Sequence, residues 1–259
     1  MKMPFAQIQV LACPLAATTY AGAVAWVRDM AVGGGVYLVE AANTMVVTMA
    51  RHEREFGAVI DRFDLCLPDG MPLVWAMNRQ LPEDEQMGDR VYGPTLMLRC
   101  FEGTQDDSAP GHFLLGGKES TLEKLVTEFG EIAPGATIMG TYSPPFGEWP
   151  EGEDDRICDL IRESGAKLIW VGLGCPKQEM WMARMRDRLP GGVYFGIGAA
   201  FAFHAGEVSQ APAFMQKRGM EWLYRLCMEP RRLFSRYFKF NSLFLFYMLK
   251  DRIFGVPRG

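Results

Sequence analysis

Histidine is scarce in this chain, three residues in 259, and none stands at ligand spacing from a cysteine or another histidine. A metal centre built on His or Cys/His ligands is therefore not encoded. The six cysteines, Cys13, Cys66, Cys100, Cys158, Cys175 and Cys227, are scattered singly with no C-x-x-C pair. That excludes a disulfide framework and fits reduced thiols in a cytoplasmic protein. Long apolar runs are missing too. The opening "MKMPFAQIQVLACPLAATT" carries one lysine and an interrupted apolar stretch, weak as a signal peptide, so no export is expected. The longest purely apolar run of the C-terminal region, "LFLFYML", has seven residues, far short of a membrane span. There is no G-x-x-x-x-G-K-[ST], no repeat of fixed period and no linker rich in Gly, Pro or Ser. Clustered acids occur in "QDDS" (105–108) and "GEDDR" (152–156), both in polar stretches that read as solvated loops or helix starts, and no metal is expected.

What is present is a β-α rhythm in a chain that is 49% hydrophobic, enough to bury a substantial core. "HFLLGG" (112–117), "ATIMGTY", "KLIWVG" (167–172) and "GVYFGIG" (192–198) read as strands, separated by helical patterns over 119–129, 155–164 and 176–189. The first half is less regular, with strands at 7–11 and 36–40, helices over 19–30 and from Asn43, and a strand ending at Leu67. The alternation predicts an α/β fold, a parallel sheet with helices on both faces.

In such sheets ligands sit outside the carboxyl ends of the strands. By that criterion the candidates are Asn43, Asp69, Gly70, Gly116, Gly117, the loop 142–149, "GLGCPKQE" (172–179) and "GIGAAFAFHAG" (196–206). "GLGCPK" lacks the third glycine of the dinucleotide fingerprint, and the following strand has no acid at its end, which argues against a nicotinamide dehydrogenase. Gly172 and Gly174 would let the backbone approach a ligand, with Pro176 at the first helical position and the helix end offering N–H groups to an anion. Gln178 and Glu179 would point from that first turn toward whatever is bound; a plain helix start carries equal weight. Asp69 in "LPDGMPLVW" is a general base or a helix N-cap.

Charge is unevenly distributed. Residues 214–259 carry ten Lys and Arg against three Asp and Glu, while the whole chain is −4, and they hold 11 of the 31 aromatic residues. Arg232, Arg236 and Lys239 fall within about 60° on a helix, and Leu233, Tyr237, Phe240, Phe244 and Tyr247 form a second stripe. Basic and aromatic interleaving suits nucleic acid or an anionic membrane surface; docking on the core explains the aromatics alone.

Seven blocks carry a resemblance that runs from about Val36 to Tyr237: "LPDGMPLVWAMN", "DRVYGPTLM", "FLLGG", "YSPPFGE", "VGLGCPKQEMWM", "GIGAAFAFHAGEVSQAP" and "RGMEWLYRLCMEPRRLFSRY". In this order they resemble the WecG/TagA/CpsF glycosyltransferases, glycosyltransferase family 26. The resemblance implies a Rossmann-like core, taken as residues 1–213, with a C-terminal helical membrane-associating appendage, 214–259. It implies an inverting, metal-independent, cofactor-free transfer of a sugar (N-acetylmannosamine, its uronic acid, or a glucose-type hexose) from a UDP-sugar to a polyprenyl-diphosphate-linked saccharide in surface polysaccharide biosynthesis. The expected place is the inner face of the cell membrane, with an anionic lipid surface as partner, no nucleic acid, and a homo-oligomer compatible with the reading. A non-catalytic nucleotide-sugar-binding module of the same fold is the alternative.

Carried over residue by residue, Asp69 resembles the family base. Arg90 in "DRVYG" joins it as a catalytic candidate, Gln178 matches a substrate contact, and Arg225, Arg232 and Arg236 match arginines that meet diphosphate. Asn43, Gly116, Gly117, Gly172, Gly174, Pro176 and Glu179 complete the expected substrate site. Two motifs depart from the family: T-x-N-x-E is "AANTM" here, with Ala41 and Met45 flanking Asn43, and F-D-F is "FAF", with Ala202 in place of the acid.

Overall fold

The chain opens with a tight hairpin. β1 (Ala6–Val10) and β2 (Cys13–Ala17) pair antiparallel across Leu11, whose φ is 55°. The sequence predicts a single strand here, because Pro14 interrupts the second. β2 tolerates the proline because its link to the next strand over is a single register pair, Leu15 with Cys66. A computed structural model describes residues 3–106 and 108–254, without the side chains of Ala213 and Arg232.

α1 (Tyr20–Val32) is capped by Thr19, whose side chain accepts from the Gly22 N–H. β3 (Val36–Ala42) leads into α2 (Thr44–His52) and α3 (Arg54–Ile60), then β4 (Leu65–Pro68), α4 (Met71–Asn78) and α5 (Gly93–Glu102). β5 (His112–Gly116), α6 (Glu119–Ile132), β6 (Ile138–Tyr142), α7 (Glu153–Ser164), β7 (Leu168–Gly172), α8 (Lys177–Met185) and β8 (Gly192–Gly196) follow the predicted rhythm. Four helices end the described chain: α9 (Ala200–His204), α10 (Ala213–Lys217), α11 (Glu221–Met228) and α12 (Pro230–Phe254).

The eight strands form one sheet in the order β1-β2-β4-β3-β8-β7-β5-β6, parallel except for the first pair. Helices cover both faces, as the unbroken apolar runs of the central strands require. α2, α3, α4, α7 and α8 pack on one side and α1, α5, α6 and α9 on the other. The helix after β3 lies on the first face and the helix after β8 on the second, so a crevice opens between the carboxyl ends of these two neighbouring strands. Behind it the second face holds a stack of rings. His112 lies 3.7 Å from Phe101 centroid to centroid, and Trp170 4.0 Å from Phe195. Trp170 Nε1 donates to His112 Nδ1 at 3.0 Å, which places the imidazole proton on Nε2, 2.7 Å from Thr104 Oγ1. Burial lowers this histidine to about 3, and it stays neutral as a core residue.

α12 lies along α2. Leu233, Phe240 and Phe244 are buried, and the Tyr247 hydroxyl meets His52 Nδ1 at 2.8 Å. This is the aromatic stripe read from the sequence, and it packs on the core. Phe244→Ala should lower stability by about 3 kcal/mol, the scale for emptying an aromatic site, read by urea unfolding; a change near zero would mean that α12 rests on the core without contributing to it.

Candidate functional site

Asp69 follows directly on β4. α4 has Gly70 as its N-cap, with no side-chain cap bond, so the Asp69 carboxylate does not cap the helix it precedes. Its Oδ1 instead accepts from the Gly93 N–H at the start of α5, at 2.7 Å, while its own N–H donates to Ala42 O. Burial pushes the carboxyl up to about 6, against the lowering effect of Arg90 and of the Gly93 hydrogen bond. Arg225 lowers it further and Glu221 raises it. Trp75, the desolvating neighbour suggested by sequence, is 46% exposed and packs at the Gly219 turn.

Arg90 is 7% exposed and held on several sides by this chain. Nη1 donates to the Asp69 carbonyl at 3.1 Å, Nη2 to Gln216 Oε1 at 3.0 Å, and Nη2 lies 2.6 Å from Glu221 Oε2. Its guanidinium sits 4.0 Å from the Tyr92 ring centroid, and the Tyr92 hydroxyl donates to Glu221 Oε1 at 2.6 Å. α10 and α11 are thereby drawn over the β4 end. Arg225 on α11 lies 5.4 Å from the Phe203 ring centroid, and its Nε is buried with no hydrogen-bond partner among the described residues. The sequence reading omitted Tyr92, Gln216 and Glu221; two of them stand inside the quoted blocks "DRVYG" and "RGMEW".

On the other side of the crevice the expectations change. Pro176 is the residue before the helix, not its first residue. The Gln178 N–H donates to Gly174 O, and the Gly174 N–H donates to Gln178 Oε1 at 3.1 Å. The Glu179 N–H meets its own carboxylate. Much of the anion site expected at this helix end is thus filled by the protein's own groups. Gln178 and Glu179 are 2% and 0% exposed and turn inward, with Gln178 Nε2 donating to Glu179 Oε1 at 2.9 Å.

Other candidates take structural places. Asn43 Oδ1 accepts from Met45 N and Val46 N and caps α2. Gly116 has φ +107, and a Cβ there would lie 2.7 Å from the Gly172 carbonyl carbon; one on Gly172 would lie 2.6 Å from the Phe201 ring. These two glycines therefore let β5, β7 and α9 close on one another. Gly117 continues the same turn and accepts from Ser143 Oγ. Arg236 turns inward, Nη2 donating to Cys175 O at 3.2 Å, while Lys239 faces solvent 3.9 Å from Glu53. The Arg232 side chain lies outside the described residues. Of the predicted site, Asp69, Arg90 and Arg225 converge on one side of the crevice and Gln178, Glu179 and Arg236 on the other.

A buried carboxyl group with raised proton affinity, with guanidinium groups beside it at the carboxyl ends of a parallel sheet, marks the place where such folds put a functional site. The Glycosyl transferase WecG/TagA/CpsF family model matches residues 8–257, and the chain belongs to that family of glycosyltransferases.

The Asp69 carboxyl should titrate near pH 6 when followed by carboxyl carbon NMR. A midpoint near 4 would mean a solvated group. The folded chain holds this proton more tightly than the unfolded chain, so the stability linked to it is fully present below about pH 4 and is lost as pH rises through about 6.

Proposed function

We propose that this glycosyltransferase moves a sugar from a UDP-sugar to a polyprenyl-diphosphate-linked saccharide in polysaccharide biosynthesis, inverting the anomeric centre without a metal. The observation that carries the reading is Asp69: a carboxylate raised to about 6, at a strand end, between Arg90 and the Gly93 N–H. In a single displacement the acceptor hydroxyl attacks the anomeric carbon from the face opposite UDP and gives its proton to Asp69, while UDP departs with the bond electrons. A base with a value just below neutrality is ionised at working pH yet still basic enough to take that proton. Positive charge for the departing diphosphate comes from Arg225, whose buried Nε is uncommitted, with Arg236 across the crevice. Arg90, held by the Asp69 carbonyl, Gln216 and Glu221, orients Asp69 and holds α11 in place.

The acceptor lipid requires a membrane surface, and α11 and α12 suit one. Trp222, Phe234, Phe238, Leu245, Phe246 and Leu249 are exposed, and Arg231, Lys239, Lys250 and Arg252 are exposed around them. No helix among the described residues is long and apolar enough to cross a membrane. An amphipathic helix lying in the interface needs no span, and each basic residue there contributes about 1 kcal/mol.

UDP release should be measured with lipid-linked acceptor and a panel of UDP-sugars in the presence of EDTA. Turnover should persist, kcat/KM should climb about tenfold per pH unit below pH 6 and level off above it, and Asp69→Asn should lose roughly 10²-fold or more in kcat. No release with any donor would indicate a nucleotide-sugar-binding module, and release only with added metal would overturn the metal-free mechanism.

Flotation with anionic vesicles tests the surface. The full chain should float at low salt, and Phe238→Ser combined with Phe246→Ser should lose most of that binding. Equal flotation of the two proteins would return these side chains to ordinary surface.

A further inference from the structure

Two carboxyl groups almost removed from solvent lie under the crevice. Glu40, 1% exposed, is near the end of β3, and Glu179, 0% exposed, is in the first turn of α8. Glu40 reaches this place because its partner across the ladder is Gly196; a Cβ there would overlap Glu40 Oε2 and stand 3.3 Å from Gln178 Nε2. The Glu179 carboxyl lies close enough to raise Glu40, yet Oε2 of each is buried and meets no donor N–H or O–H of the described residues. Two buried carboxylates without donors repel each other and lack the hydrogen bonds that burial demands. One proton resolves both deficits, turning one group into an O–H donor to the other.

We infer that Glu40 and Glu179 share a single buried proton, and that the pair is a positioning element that fixes the side-chain amide of Gln178 at the crevice.

The groups around the pair agree on where the proton lies. Cys66 of β4, Asp69 after β4 and Glu179 all raise Glu40, and burial raises it most. Burial raises Glu179 as well, to about 7, but its own N–H, the Gln178 amide, the Cys175 thiol and Arg236 of α12 all act against that rise. Glu179 already accepts the Gln178 amide N–H, so the geometry leaves Glu179 as the acceptor and makes Glu40 the donor. Held in this way, Glu179 Oε1 takes one N–H of Gln178 Nε2 at 2.9 Å, and Gln178 Oε1 takes the Gly174 N–H at 3.1 Å. Both ends of the amide are oriented, and its second Nε2 hydrogen, beside Gly196 and Gly198, is left for a ligand. That last step rests on the crevice being the sugar-nucleotide site proposed above.

Urea unfolding of wild type and Glu40→Gln between about pH 5 and 8 tests the proton without any assay of activity. A group protonated only in the folded chain makes the unfolding constant rise about tenfold per pH unit. Wild type should show that additional slope and Glu40→Gln should lack it; parallel slopes would overturn the shared proton.

Positioning is tested by donor kinetics. Glu40→Met, which keeps shape but offers no donor, should raise the UDP-sugar KM by roughly tenfold with little change in kcat, the scale of one buried hydrogen bond. Glu40→Gln, which can still donate to Glu179, should restore it. On a Gln178→Ala background Glu40→Met should add nothing further; an undiminished effect there would overturn the positioning role. If Gln178→Ala alone leaves donor KM unchanged, the sugar-nucleotide reading of the crevice fails, while the unfolding slopes still decide the proton.

Discussion

Arg90 is the joint on which the site hangs. A guanidinium almost removed from water needs partners for its donors, and this one finds them in three segments distant in sequence: the Asp69 carbonyl after β4, Gln216 at α10 and Glu221 on α11. By satisfying one buried cation, the chain brings its last helices over the carboxyl end of the sheet. Asp69 gains its dry surroundings from the same closure. Its proton affinity is thus a consequence of how α11 is held, more than of anything adjacent to it in the sequence.

The crevice has two walls of different character. Around Asp69 the charges alternate, with Arg90 and Arg225 against Asp69 and Glu221, and burial leaves the carboxyl raised to about 6. Around Gln178 two acids are buried beside each other with Arg236 at their edge. There the low dielectric favours a retained proton over a pair of anions. Sheet geometry produces both walls, because β3, β4 and β8 end side by side while the helices that follow β3 and β8 diverge to opposite faces.

α12 serves two purposes on two faces. Leu233, Phe240 and Phe244 fill the contact with α2, whereas Phe234, Phe238 and Leu249 remain outside. A basic arc drawn on a helical wheel does not separate these roles. Arg236 falls within that arc but turns toward the Cys175 carbonyl, so among the described side chains of α12 the solvent-facing charge comes from Arg231, Lys239, Lys250 and Arg252.

By itself the sequence determined the parallel α/β class and the strands and helices from β5 to β8, since apolar runs of period suited to buried strands alternate with amphipathic stretches there. It marked Asp69 too, as an acid directly after an apolar strand, but left open whether it is a general base or a helix N-cap. The second strand of the hairpin, Cys13–Ala17, escaped it because Pro14 and a left-handed Leu11 conceal a strand that pairs near a sheet edge. Glu40 was visible as an acid inside the apolar run "VYLVEAA", but its partner is 139 residues away on α8, and only the ladder that sets Gly196 beside it shows what it meets. Whether Asp69 caps a helix or faces a crevice was decided in the same way. Local spacing limits which groups a residue can reach along its own element, but protonation and hydrogen-bond partners depend on what the fold removes from water, and that is set by contacts between distant segments.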